Sequence, residues 1–339
     1  MTFWCCLRLA ALASALIAST VGAAKAELAL KFSLDSRLEG PAAIFLLAQD
    51  RGYYRNEGLD VTIEEGAGAL DPITRIASGH EFGFADINAL IRYRDQNPAA
   101  PVKAVFMVFN RPPFAIVGRK SRGIADPKSL EDKRLGASPS GATYQQWPIF
   151  AKLNGIDTAK VKLEQIGAPV RAPMLAAGEL DGVLGYDYRV YVDLKDRGVP
   201  IDDVVVLPMA SHGLDLYGSA VMVNSKFAAE QQDAVQGFLR ATMKGLKDAI
   251  RNPAAAIESV LKRDDLAKKE VELERLRMAI RGNIVTPEVR ANGLGAIDSA
   301  RLAEAINQIA LTHPFKTKPK PDDVFDSGFL PAAVERRLN

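Results

Sequence analysis

The chain has 339 residues, 48% of them apolar and 25% charged, with 43 Lys and Arg set against 41 Asp and Glu and only three His. That length suggests about two domains, each able to bury a sizeable core. The balanced charge offers no basic face of the kind nucleic acid binding requires, so no nucleic acid partner is expected.

Residues 1–26 read as an export signal. Arg8 supplies a basic start, Leu9 to Val21 is apolar, and Ala24-Lys25-Ala26 fits a small-residue cleavage site. Cleavage would remove Cys5 and Cys6, the only cysteines, and with them any disulfide, thiolate metal site or cysteine nucleophile. It would also remove Arg8 and Lys25, leaving basic and acidic side chains equal in number. No second apolar run approaches the ~20 residues a membrane span needs. The expectation is a soluble, periplasmic protein without cofactor or metal.

From Glu27 onward strand and helix patterns alternate. Residues 28–34 (LALKFSL) form a short strand, 41–48 (PAAIFLLA) an apolar helix, and Leu59, Val61 and Ile63 alternate as a second strand. Gly52 suits the left-handed end of the intervening helix. This is a βαβ unit, the seed of a parallel sheet. The loop 64–70 (EEGAGAL) follows, then Asp71 as the expected cap of a helix with Pro72 at its first position. Further strands fall at 82–87, 102–109 and 114–118, and a short helix at 88–95. Strands at 161–166, 182–185 and 204–207 enclose a helix at 168–177. Beyond Asn224 the pattern is helical. Phe227, Val235, Phe238, Leu239, Met243, Leu246 and Ile250 are spaced as one core-facing stripe, Lys262 to Arg277 reads as a solvated face, and 314–321 as a Pro-rich strap.

Several segments in this order resemble solute-binding proteins of the alkanesulfonate, taurine and nitrate type, a superfamily that also holds the thiamine-pyrimidine-precursor (SsuA/THI5-like) proteins. They are GYYRNEGLDV (52–61), IASGHEFGFAD (76–86), DPKSLEDKRLGA (126–137), AAGELDG (176–182) and VFDSGFL (324–330). Asp132 stands where that family usually has glycine. The resemblance implies an α/β, two-domain periplasmic-binding-protein (Venus flytrap) fold, type II-like, with a two-stranded hinge. Crossings near 115–118 and 216–221 would divide it into domain one, residues 27–116 and 219–339, and domain two, residues 117–218. It also implies a monomer that closes on a small-molecule ligand (sulfonate, carboxylate or pyrimidine-like) and delivers it to an ABC permease with its ATPase.

Open parallel sheets bind ligands beyond the carboxyl ends of their strands. That rule nominates Asp35, Ser36, Arg37, Gly66, Gly68, Asp86, Asn88 and Asn110 from domain one. From domain two it nominates Ser138, Ser140, Gly141, Thr143, Tyr144, Tyr186, Asp187, Tyr188 and, near the return crossing, His212. The Ser/Gly/Thr-rich start of the helix after Ser138 suits an anion, Arg37 could pair one bidentately, and Asp187 argues for a ligand bearing hydrogen-bond donors. Gly66-x-Gly68 lacks the third glycine and the acid-tipped strand of a dinucleotide site. Hydrolase, zinc-protease and Walker motifs are absent, and His80, His212 and His313 are scattered along the chain, so no catalytic residues are expected. The alternative is an enzyme on the same fold, of the thiamine-pyrimidine synthesis or desulfination type.

Overall fold

The structure, a computed structural model, describes residues 26–338. The expected export signal, apart from Ala26, lies outside the described residues. Ten strands form two sheets: β1 Leu28–Ser33, β2 Leu59–Glu64, β3 Phe82–Asp86, β4 Val102–Met107, β5 Phe114–Arg119, β6 Arg134–Ala137, β7 Lys162–Gln165, β8 Gly182–Tyr186, β9 Val204–Pro208 and β10 Ser219–Asn224. The first sheet runs β2-β1-β3-β10-β4 and the second β7-β6-β8-β5-β9. The two orders are equivalent. In each sheet the one antiparallel strand, β10 or β5, is the strand the chain forms on arriving from the other sheet.

The glycine-tyrosine motif now has a physical account. Gly52 and Gly58 take left-handed φ values of 68° and 75°, which only a residue without Cβ adopts at no cost. They bracket a single helical turn, Tyr53–Asn56, that inserts Tyr54 into the core. Tyr54 stacks on Phe238 with centroids 5.1 Å apart, and Phe238 stacks in turn on Phe82 at 4.0 Å. The Tyr54 hydroxyl is paired with that of Thr242 at 3.1 Å, so the ring is buried with its polar tip satisfied. Phe238 belongs to the expected stripe, which lies on the long helix Gln232–Arg251 apart from Phe227, on the short helix Ser225–Glu230.

Three local expectations are corrected. Residues 114–118 are not a crossing strand: Phe114–Gly118 pairs with β8, and Ala115–Arg119 with β9, wholly inside the second sheet. The passage is 108–113, and the strand begins only after Pro112-Pro113 because proline has no N–H to donate to a ladder. The return passage is 209–218, since Ser219 already pairs in the first sheet. Asp71 is the first residue of its helix, not the cap; its carboxylate accepts from Ala67 N and Arg75. The charged stretch before Arg277 is not a solvated face throughout. In the helix Lys269–Ala279, Leu273 and Leu276 are buried against the first half, and Glu272 accepts from Gly40 N at 2.6 Å.

Asp132, the departure noted above, has φ 62° and is the only non-glycine residue with positive φ among the described residues.

Candidate functional site

Because four strands of each sheet are parallel, both sheets direct their carboxyl ends toward a shared cleft. A cavity of about 450 Å³ lies there, within the size range of small-ligand sites. The first half contributes Asp35, Ser36, Arg37 and Glu39 after β1 and Gly66 to Ala69 after β2. The second contributes Ser138 and residues 140–144 after β6, Ala168, Pro169 and Arg171 after β7, and Gly185 and Tyr186 at the end of β8. Arg189, Asp193 and Asp196 from the helix Asp187–Asp196, Arg197 at its end, and Arg275 from Lys269–Ala279 complete the wall.

The halves touch across this cleft. Ala69 N donates to Ser140 O at 3.2 Å, Arg189 Nε to Glu39 at 2.7 Å, and the Tyr186 hydroxyl to Asp35 at 3.3 Å. Lys195–Glu274 and Lys268–Asp196, both 2.7 Å, and Arg275–Asp193 bridge the same halves. The conformation is therefore closed.

The walls differ in chemistry. On the second-half side two helices, Ala142–Leu153 and Ala168–Ala177, begin at Gly141 and Gly167 with no side-chain cap. The first-turn N–H groups of the first helix and the positive dipole ends of both favour an anion, while in the second Pro169 has no N–H and Val170 N donates to Gly167 O. Beside them Thr143 Oγ1 and Arg171 Nε are buried, and neither has a hydrogen-bond partner among the described residues. Burial and the like charge of Arg189 bring the Arg171 guanidinium down to about 10. On the first-half side sit two buried carboxyls. Burial pushes Asp35 up, only partly offset by Arg189 and by hydrogen bonds from Ser36 and Tyr186. Burial alone would raise Glu39 too, but the guanidiniums of Arg189 and Arg275 outweigh it and hold that carboxyl low. Arg189 also lies over the Tyr186 ring at 5.4 Å. The cavity thus has an anion-accepting wall and an acidic wall that accepts hydrogen bonds.

Of the seventeen residues nominated from the sequence, Asp35, Ser36, Arg37, Gly66, Gly68, Ser138, Ser140, Gly141, Thr143, Tyr144 and Tyr186 line this cavity. The other six do not. Asp86 caps the helix Ile87–Gln96 from beneath the cleft, and Asn88 spans from Asp86 to Tyr217 O; both are fully buried. Asn110 is held by Glu288 and Thr286 in the passage between sheets. Asp187 turns toward Asn283 and Arg111. Tyr188 packs into the first half's core beside Phe109 and lines a smaller adjoining pocket with Asp35, Arg37 and Arg189. His212 packs edge-on to Phe150 and gives its carbonyl to Asn154. The physical reason is that β8 ends at Tyr186 and a helix begins at Asp187. Side chains therefore leave at helical spacing, and the face following Tyr186 is Arg189-Asp193, not Asp187-Tyr188. That spacing was the available signal for Asp193. Arg171, in the first turn of a recognised helix, was also within reach. Glu39 lies in the same loop after β1 as Asp35 and Arg37, and Arg275 joins the site only through tertiary packing.

Among the described residues no group of three or more potential metal ligands is assembled, and no helix is long and apolar enough to cross a membrane.

The family described as NMT1/THI5 like has a model that matches residues 41–256. The chain is similar to the 4-amino-5-hydroxymethyl-2-methylpyrimidine phosphate synthase of Schizosaccharomyces pombe, 28% identical over 216 residues that cover 61% of each chain. It is also similar to the riboflavin-binding protein RibY of Chloroflexus aurantiacus, 25% identical over 222 residues, 64% of this chain and 61% of that one. These alignments thus span less than two thirds of either relative. Among solved structures, the periplasmic aliphatic sulphonate binding protein SsuA of Escherichia coli superposes with a TM-score of 0.69 at 12% identity, covering 87% of this chain and 91% of that one. At that identity the likeness is one of fold, and the fold is that of the periplasmic binding proteins.

Proposed function

The chain belongs to the NMT1/THI5-like family, and from that premise we propose that it is an extracytoplasmic binding protein that captures a small ligand by hinge closure and presents it to an ABC permease and its ATPase. The ligand proposed is flat and bipolar: an amino-bearing, pyrimidine-like ring whose donors meet Asp35, joined to a carboxylate, sulfonate or phosphate. One observation carries this. Two helices without a side-chain cap begin on one wall of the cavity, beside the lining residues Thr143 and Arg171, and an oxyanion seated there would accept from the free first-turn N–H groups of the first helix and meet the guanidinium charge of Arg171. The acidic wall opposite supports a donor-bearing body.

A second reading, an enzyme of pyrimidine synthesis, draws on the name of the Schizosaccharomyces pombe relative. One experiment separates the two. A thermal-shift panel of aminopyrimidines, their phosphates and carboxylates, flavins, alkanesulfonates and nitrate is followed by recovery of each hit and mass spectrometry. A ligand at 100 times its Kd adds ~2.7 kcal/mol. Recovery of an unchanged hit supports the binding protein; conversion of the hit on the protein would replace that reading with the enzyme.

A further inference from the structure

Closure needs a pivot, and one arginine outside the cavity touches both passages between the sheets. Arg301 stands on the helix Ser299–Ala310 of the first half. Its guanidinium reaches Asn110 Oδ1 at 3.3 Å on the outgoing passage. On the return passage it reaches Leu216 O at 2.8 Å and Asp215 Oδ1 at 2.9 Å. It also pairs with Glu288 at 2.9 Å and lies over the Tyr217 ring at 4.1 Å. Glu288 repeats the pattern, accepting from Asn110 Nδ2 at 2.9 Å and from the Tyr217 hydroxyl at 2.6 Å. The passages also bond each other, through Gly218 N to Phe109 O at 2.9 Å. Further along the helix, Gln308 holds Asp215 N at 3.0 Å and Gly213 O at 3.1 Å. None of these residues lines the cavity.

We propose that Arg301 is a positioning residue for closure: it clamps the first-half ends of both passages into one rigid block. Rotation is then left to Pro112-Pro113 on one passage and to the residues between Pro208 and Gly213 on the other, the segments nearest the second sheet. A planar fork with five donors can satisfy two passages and a carboxylate together; a lysine cannot. Pinning both strands at one level turns a loose pair of linkers into a defined axis, so the cavity walls meet in one register. This inference rests on the hinge-closure reading above, but its readout needs no ligand.

The test is a pulsed electron-electron distance measurement between spin labels at Arg55→Cys and Glu179→Cys, exposed positions on opposite halves. It uses the full chain with Cys5 and Cys6, its only cysteines, replaced by serine. The unmodified hinge gives one narrow distance distribution in the ligand-free protein. Arg301→Gln broadens it or adds a second population, Arg301→Lys gives an intermediate width, and Gln308→Ala, which leaves the clamp in place, broadens it least. For any hit from the panel, Arg301→Gln raises Kd about tenfold. Widths equal to wild type in Arg301→Gln and Arg301→Lys, with the variants folded by circular dichroism, would overturn the proposal. If Arg301→Gln does not fold, Arg301→Lys and Gln308→Ala decide it in the same way. A panel without hits would count against the ligand proposal alone, since the distance distributions are read without one.

Discussion

Gly68 offers the sharpest separation between folding and closing. Its φ is 130°, and a Cβ added there would stand 2.7 Å from Ser140 O and 3.0 Å from Ser140 Cβ, atoms of the opposite half. Gly68→Ala therefore carries two costs of different kinds. The backbone strain, of order 1–3 kcal/mol, burdens open and closed forms alike and lowers the melting temperature. The collision exists only when the cleft is shut. Relieving it means moving Ser140 away, which stretches the Ala69 N–H to Ser140 O bond of 3.2 Å and leaves the interface overpacked. Together these should cost the closed form about 2 kcal/mol, a factor of ~30 in the closing equilibrium and in any Kd coupled to it. The assay is titration calorimetry with a hit from the panel, beside thermal melts without ligand. A Gly68→Ala Kd within twofold of wild type would refute the reasoning.

Asp132→Gly should stabilise the protein by about 1 kcal/mol, because it relieves a left-handed aspartate at an exposed turn; urea unfolding would show it, and a loss of stability would contradict it. Burial pushes the Asp86 carboxyl up to about 7, against the hydrogen bonds from Asn88 and the charge of Arg92. Its folded pKa exceeds the unfolded value near 4, so the folded state holds the extra proton. Stability should therefore fall as pH rises from about 4 to 7 and be level above, by something on the order of 2–4 kcal/mol. Asp86→Asn should flatten that slope in unfolding curves taken from pH 4.5 to 8; an unchanged slope would assign it elsewhere. Asp187→Asn should leave Kd at neutral pH within threefold of wild type, because Asp187 does not line the cavity; a tenfold loss by calorimetry would return it to the site.

The fold was largely legible because its signals are local. Gly52 and Gly58 carry the left-handed turns their spacing demands, the Phe238 stripe faces the core, and even the oddity of Asp132 marks a real backbone feature. The half of the cavity formed by loops after β1, β2 and β6 was legible for the same reason: the carboxyl ends of parallel strands can be found from strand assignments alone. The rest was lost in two ways. The nominations after β8 ran through the consecutive residues Tyr186, Asp187 and Tyr188, whereas the chain turns helical at Asp187 and the cavity face continues with Arg189 and Asp193. Arg275 lies more than 200 residues from the loop after β1, and only packing of Lys269–Ala279 against the first half brings it to the cleft, whereas Glu39, two residues past Arg37, was within reach. The segment that carries Arg275 looked solvated because its charges hide Leu273 and Leu276, which supply the burial.

The most direct test of ligand capture in this cavity is calorimetric titration of a panel hit into wild type, Thr143→Val and Arg171→Met. The account predicts tight binding by wild type and at least a tenfold weaker Kd in each variant, with the loss confined to ligands that carry an anionic group. Equal affinity in all three proteins would place the ligand elsewhere and contradict the account.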